Sequence, residues 1–271
     1  MARYIPAAMK NGIDVDSVDA AAGPPYAFPK PYAFPNTPGP PYEFTGALVD
    51  YVRQEPPGIP TGWWRGVGVT HNVFMVEGFT DEMAAAAKKD PVEYRRALLH
   101  KAPRARAVLD LAVEKSGWGQ TLPTGSGRGV SVLFGFGSYV AQVAEVAVDK
   151  DGHVRVQRVV CAIDCGQIVN PDTAKAQMEG GIVFGITAAL YGDITIKSGR
   201  VEQSNFDTYK MLRINQAPAI EVYLTESNEA PGGVGEPGTA GIAPAVINAV
   251  FAATGKRIRK LPINSEQLKS I

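Results

Sequence analysis

Histidine and cysteine are scarce in this chain. Its 271 residues hold three histidines and two cysteines. His71, His100 and His153 are far apart in sequence and show none of the spacings that build a zinc site. Cys161 and Cys165 lie in an apolar, period-two stretch. Four strand residues span about 13 Å, and a disulfide needs Cα atoms within about 7 Å. The two are therefore expected to stay unbridged as buried thiols, and two thiolates cannot hold a four-cysteine iron–sulfur cluster. Charge of either sign is not in excess: 27 basic residues face 27 acidic ones. That removes the electrostatic ground for nucleic-acid or basic membrane-surface binding. There is no uninterrupted run of about 18 apolar residues, so no bilayer-crossing helix is expected. Met1-Ala-Arg-Tyr-Ile-Pro6 lacks the apolar core of a signal peptide, and the compartment, cytoplasmic or periplasmic, is not legible. A Ser-His-Asp set, a phosphate loop and a metal cluster are also missing from the sequence pattern.

Glycine and proline, at 29 and 21, are plentiful. They concentrate between Ala230 and Pro244, where Gly232, Gly233, Gly235, Gly238 and Gly241 alternate with Pro231, Pro237 and Pro244 around a single carboxylate, Glu236. Glycine lets backbone approach a ligand closely, and proline fixes φ. The loop is thus shaped rather than slack, and an acid held in it suits a general base. The competing reading is a helix-entry loop whose acid is solvated or capping. An apolar helix is expected after Pro244, stopping at Gly255 with Lys256 and Arg257 near its negative end. Gly233-Val-Gly-Glu-Pro-Gly238 also matches G-x-G-x-x-G, but no strand directly precedes it and no βαβ unit follows, which argues against a dinucleotide site.

The chain divides into three parts. Residues 1–60 are extended and rich in proline and aromatics, with a short tandem repeat: Pro-Pro-Tyr-Ala-Phe-Pro, Lys-Pro-Tyr-Ala-Phe-Pro, Pro-Pro-Tyr-Glu-Phe. This segment reads as a covering strip or as an aromatic-proline ligand. Residues 61–120 open with Trp63-Trp-Arg-Gly-Val-Gly68 and continue as three helices. The first runs from about Asn72 to Ala87, with Val73, Val76 and Phe79–Met83 as its apolar face and Glu77, Asp81 and Glu82 on the wet one. The second is capped by Asp90 before Pro91, and the third ends at Gly117. Residues 121–129 read as a loop. Period-two strands follow at about 130–134, 139–148 and 154–163, with a hairpin turn at 149–152. Asn170-Pro-Asp starts another helix. Gly180, Gly181 and Gly185 in it signal close backbone packing, a ligand or a break, since helical glycine costs about 1 kcal/mol relative to alanine. A small hairpin near 194–202 and a last strand at 219–224 complete the pattern. Helices and strands are mixed without strict alternation, so the expected class is α+β, mixed sheets with packed helices.

Three motifs stand in order: Trp64-Arg-Gly-Val-Gly68, Gln177-Met-Glu-Gly-Gly181 and Gly233-Val-Gly-Glu-Pro-Gly238. With Ile163-Asp-Cys-Gly166 and Val169-Asn-Pro171, they resemble the molybdenum-binding subunit of the xanthine dehydrogenase and aldehyde oxidase family, in its isoquinoline 1-oxidoreductase beta-subunit branch. The resemblance runs from about Tyr42 to Pro262 and covers the C-terminal portion of that subunit. Residues 121–271 become the molybdopterin-binding part. It implies that Glu236 is the catalytic base and that Gln177 contacts the pterin. It implies that Gly233, Val234 and Gly235 form the loop nearest the cofactor, and that Arg65, Gly66 and Gly68 form an arginine-glycine loop beside it. Arg65 either orients substrate or braces the loop. Trp63, Trp64, Phe134 and Phe136 either wall an aromatic pocket or pack in the core. The implied cofactor is a molybdopterin-type molybdenum cofactor, a cytosine dinucleotide form included, held by its pterin and not by protein metal ligands. The implied partners are a chain carrying the N-terminal half, a small [2Fe-2S] subunit that takes the electrons, and a small aldehyde or N-heterocycle as substrate. The implied reaction is hydroxylation of an N-heteroaromatic carbon, or oxidation of an aldehyde, with water as oxygen source. The non-catalytic alternative is a truncated fragment that acts only as an interaction or binding module. Lys210 stands where the family usually has proline.

Overall fold

A computed structural model describes residues 9–10, 13–14, 41–44, 58, 62 and 64–269. Most of the tandem repeat, and Trp63, lie outside the described residues.

The centre is a four-stranded sheet in the order β1-β2-β3-β4: β1 (Ser126–Gly135), β2 (Ser138–Val148), β3 (Val154–Asp164) and β4 (Ala219–Leu224). The first three strands pair antiparallel and β4 joins β3 in parallel. A parallel neighbour needs a crossover connection, and the chain between β3 and β4 contains α4 (Pro171–Leu190). The other helices are α1 (Val67–Ala86), α2 (Pro91–Ala97), α3 (Pro103–Ser116) and α5 (Pro237–Thr254). The α+β expectation holds.

Alternation along the strands divides two cores. Leu133, Val140, Ala144, Cys161 and Ile163 pack with Val73 of α1, Met178 and Ile182 of α4 and the length of α5. Val130, Val132, Phe134, Ala141, Val143 and Ala162 pack with Val108, Leu109 and Ala112 of α3. Both faces of the sheet are covered, which is why β2 is buried nearly throughout. Cys161 and Cys165 are unbridged and belong to the α5-side core, as expected. Burial pushes the Cys161 thiol up to about 12, against a hydrogen bond from Gln142.

Every residue of α5 from Pro237 to Val250 is buried. This helix amends the reading that nothing in the chain could cross a bilayer: it is long and apolar enough to do so, yet 78% of it is buried inside the protein. Its start is a second correction. It begins at Pro237, seven residues before the expected Pro244, which sits inside the helix. Gly238 and Gly241 disfavour helix in isolation, but packing overrides this. A Cβ at Gly238 would lie 2.8 Å from the Met178 carbonyl oxygen, and one at Gly241 would lie 2.9 Å from Leu133. The 121–129 loop is likewise partly strand, for β1 starts at Ser126. Gly129 lies directly beneath α5, where a Cβ would be 2.1 Å from the Ala249 nitrogen.

The phase of α1 is also corrected. It starts at Val67, and Glu77 and Asp81 are buried, whereas Phe79 is 61% exposed. The acids turn inward because Arg95 and Arg257 meet them. Arg95 Nε donates to Glu77 at 2.9 Å, and Arg257 Nη1 donates to Asp81 at 2.6 Å. Asn170 caps α4 by accepting from the Thr173 amide, and Asp90 caps α2.

Candidate functional site

The 229–236 loop is held by backbone bonds to two neighbouring turns. The Gly232 amide donates to the Cys165 carbonyl at 2.8 Å, and the Gly233 amide to the Phe136 carbonyl at 2.6 Å. Ser138 Oγ donates to the Gly233 carbonyl at 2.7 Å. A Cβ on Gly232 would lie 2.5 Å from the Gly137 carbonyl oxygen, so glycine is required by packing there. Val234 anchors the loop against the α5-side core. The loop then delivers Glu236 as the N-cap of α5, with Pro237 at N1. The first turns of α5 are themselves pinned. Gln142 Nε2 donates to the Gly238 carbonyl, Ser131 Oγ to that of Gly241, and Thr239 Oγ1 to that of Gly181.

Glu236 is half-buried, and its carboxylate makes no capping bond. An N-cap acid usually accepts from the amides of the first turn. Here the carboxylate has no hydrogen-bond partner among the described residues. The capping reading therefore loses its support, and the carboxylate stands partly open to solvent beside the positive end of a helix.

Arg65 joins the three motifs. Its Nε donates to the Gly235 carbonyl at 2.7 Å, and its Nη2 reaches Gln177 Oε1 at 3.3 Å. Gly66, at φ 92, is the N-cap of α1; a Cβ there would overlap Thr70 Oγ1, which itself donates to the Arg65 carbonyl. Gly68 is buried in the first turn of α1. The structure thus brings Arg65 together with Gln177, 112 residues away, and with Gly235, 170 residues away, next to Glu236. Of the two roles open to Arg65, loop bracing is visible directly.

Two glycines at this place are not explained by protein packing. Among the described residues, a Cβ on Gly235 or on Gly180 would meet nothing within 4 Å. Gly181 and Gly185, by contrast, face α5, where a Cβ at Gly185 would lie 2.3 Å from Ile242. Close packing accounts for those two, and α4 runs through them without a break. Gln177 is exposed, and its amide nitrogen has no hydrogen-bond partner among the described residues. Open glycines, an uncommitted amide and an unpartnered carboxylate fit a large polar cofactor laid across Gln177 and the Gly235 loop. Trp64 and Phe184 stack beside them at 5.0 Å, 44% and 40% exposed, with the Arg65 guanidinium 5.9 Å from the Phe184 ring. Phe134 is buried against Tyr139 in the α3-side core, and Phe136 abuts Gly233.

Sequence reasoning quoted Asp164 only inside the Ile163-Asp-Cys-Gly166 motif, with no role of its own, and missed Arg104 and the buried arginine–carboxylate network. A lone aspartate ending a strand could have raised Asp164; nothing in the sequence points to its partner, 60 residues away. A recess of about 560 Å³, lined in part by Val148, His153, Tyr191 and Leu212, opens at the other end of α4, away from Gln177. Asp149, Asp151 and His153 bring oxygen and nitrogen atoms within 4.8 Å of one another. Asp149 Oδ1 already accepts from the amides of Asp151 and His153, so the hairpin turn explains their proximity.

A family model described as the molybdopterin cofactor-binding domain matches residues 79–218. That range contains Gln177 but neither Arg65 nor Glu236. The chain is 38% identical over 206 residues to the isoquinoline 1-oxidoreductase subunit beta of Brevundimonas diminuta, covering 74% of this chain and 26% of that protein. It is 36% identical over 222 residues to a protein of Gluconacetobacter polyoxogenes named membrane-bound aldehyde dehydrogenase [pyrroloquinoline-quinone], covering 74% of this chain and 29% of the relative. The fold is similar to that of quinoline 2-oxidoreductase from Pseudomonas putida 86, with a TM-score of 0.68 at 13% identity over 77% of this chain and 52% of that one. The chain spans about a quarter of the length of the curated relatives it matches.

Proposed function

Since the chain belongs to the molybdopterin cofactor-binding domain family, we propose that it forms the C-terminal part of the catalytic subunit of a molybdenum hydroxylase. The observation that carries this reading is the junction at Arg65, which ties Gln177 to the Gly235 loop and sets Glu236 beside them with no hydrogen-bond partner among the described residues.

Gln177, Gly235 and the Arg65 loop would hold a molybdopterin-type cofactor, the cytosine dinucleotide form being the finer choice. Once bound, that cofactor supplies two-electron oxidation at carbon with water as the oxygen source. Gln177 offers an amide N–H toward the pterin, while its Oε1 is oriented by Arg65. The Gly235 backbone can come close because no side chain intervenes. A Glu236 carboxylate oxygen takes the proton from the water-derived nucleophile as it attacks the substrate carbon. A positioned base of this kind contributes about 10²–10⁴ in rate. The Trp64–Phe184 pair offers flat apolar surface to an aromatic or aliphatic substrate. The relatives' names, isoquinoline 1-oxidoreductase and aldehyde dehydrogenase, support an N-heterocycle or an aldehyde as substrate. The second name carries pyrroloquinoline quinone; the matched family model favours molybdopterin. Electrons would leave through iron–sulfur clusters of a separate small subunit, and the N-terminal part of the catalytic subunit would close the site.

One observation favours a second reading, an interaction or binding module without catalysis: the matched family range, 79–218, takes in neither Arg65 nor Glu236. Elemental analysis of the tagged chain purified from its native host separates the two. Near-stoichiometric molybdenum with a copurifying larger chain is expected; absence of both would overturn the hydroxylase assignment.

A further inference from the structure

The Glu236 loop is fastened at one end by a charge-assisted clamp that reaches it from the opposite face of the sheet. Asp164 is the last residue of β3 and is 7% exposed. It accepts from Arg104 Nε at 2.7 Å and from Arg104 Nη2 at 2.7 Å, a bidentate fork. Such forks fix geometry as well as charge. Arg104 belongs to α3, on the far side of the sheet, and its guanidinium also lies 5.0 Å from the Tyr139 ring. The second function of Asp164 is local. Its Oδ1 accepts from the Gly166 amide at 3.0 Å, which shapes the turn 164–166.

That turn carries the loop. Gly166 has φ 69, and a Cβ on it would lie 2.1 Å from the Ala230 carbonyl oxygen, so the loop backbone rests directly on the turn. The Gln167 amide donates to the Glu229 carbonyl at 2.9 Å, and the Cys165 carbonyl accepts from the Gly232 amide at 2.8 Å. From Gly232 the chain runs four residues to Glu236. The sequence of contacts is Arg104, Asp164, the Cys165–Gly166 turn, Gly232, Glu236. Arg65 holds the other end of the same loop at Gly235.

We propose that Arg104 and Asp164 are positioning residues for Glu236: they set the height of its loop without touching cofactor or substrate. The inference rests on Glu236 being the base. Its test has one readout that does not need the cofactor, so the two can fail separately.

Hydrogen exchange on the full 271-residue chain, with residues 229–236 followed against β1 and β2, reads the clamp directly. Arg104→Ala should raise exchange in 229–236 by about tenfold while β1 and β2 stay protected. Arg104→Lys should restore part of that protection. Asp164→Asn, nearly isosteric, should give a smaller rise with the same pattern and serves if Arg104→Ala does not fold. In the assembled, metal-loaded enzyme, Arg104→Ala should lower kcat by about tenfold to a hundredfold with KM and molybdenum content unchanged. Unchanged exchange in 229–236, or an equal rise across β1 and β2, would overturn the proposal. Increased loop exchange in a chain that never contains molybdenum would leave the clamp standing and remove the catalytic reading.

Discussion

Glu77 and Glu236 meet the same helix, α5, and end in opposite states. Glu77 is fully buried. It accepts from Arg95 Nε and from the Val132 amide, each at 2.9 Å, and its own carbonyl accepts from Arg95 Nη2 and Asn248 Nδ2. Burial raises its carboxyl above the ordinary value, against the pull of Arg95 and the Val132 amide. Burial would also lower the Arg95 pKa, but Glu77 and Asp81 more than offset this, and the guanidinium is held charged. Glu236 is half-buried at the helix start, shaped by backbone bonds around it and bonded by none of them at its carboxylate. If Glu236 is the proposed base, the contrast separates a structural acid from a chemical one. A carboxylate sealed in the core and held by an arginine and a backbone amide of its own protein is out of reach of a reaction. One that is placed rigidly and left unpartnered is stored for something else.

The comparison breaks most sharply at Glu236. Glu236→Gln in the assembled enzyme should cost about 10²–10⁴ in turnover, with the melting temperature and molybdenum content unchanged. Steady-state rates and a thermal melt check both halves. Retained activity would erase the distinction drawn between the two acids.

The converse variant is Arg95→Met. It leaves Glu77 and Asp81 facing one another in a dry site, with Arg257 still on Asp81. Removing one partner of a buried pair typically costs about 3–5 kcal/mol. Denaturant unfolding should show a loss of that size. Whatever protein still folds should keep its exchange pattern in 229–236, because none of the network's hydrogen bonds reaches that loop. A loss below about 1 kcal/mol, the worth of an exposed pair, would mean that the network is more hydrated than its geometry implies.

How legible these two acids were in the sequence differs for a physical reason. Glu236 stands among glycines and prolines whose backbone meaning is local, so its loop and its neighbours could be read directly. The strands near 139–148, 154–163 and 219–224 were legible for the same reason, since period-two alternation and turn residues are local signals. Glu77 was assigned to solvent because acids at helical spacing usually are solvated. Only Arg95 and Arg257, distant in sequence, turn it inward. The start of α5 was misplaced because Gly238 and Gly241 read as breakers, whereas they serve helix-on-helix and helix-on-strand contact. Gly129 was read as loop for the same reason. Contacts between distant segments override local propensity wherever backbone packs on backbone, and they also hide which residue completes a clamp, as with Arg104.

Asp164 lies between the two extremes, and its titration gives the smallest and most specific test. It is partnered like Glu77 but belongs to the turn that holds the Glu236 loop. Burial raises its pKa; the Arg104 bonds and the Gly166 amide outweigh this, so the net shift is downward. A carboxyl lowered in the folded state adds stability that is full above its unfolded value, near 3.8, and is lost as pH falls through its folded value. Asp164→Asn cannot ionise and lacks this contribution at every pH. The difference in melting temperature between the native chain and Asp164→Asn should therefore be largest between about pH 5 and 7 and should close as pH drops below about 4. A difference that stays constant across that range would mean that the bond to Gly166, which an amide oxygen can also accept, carries the clamp and that the charge of Arg104 does not.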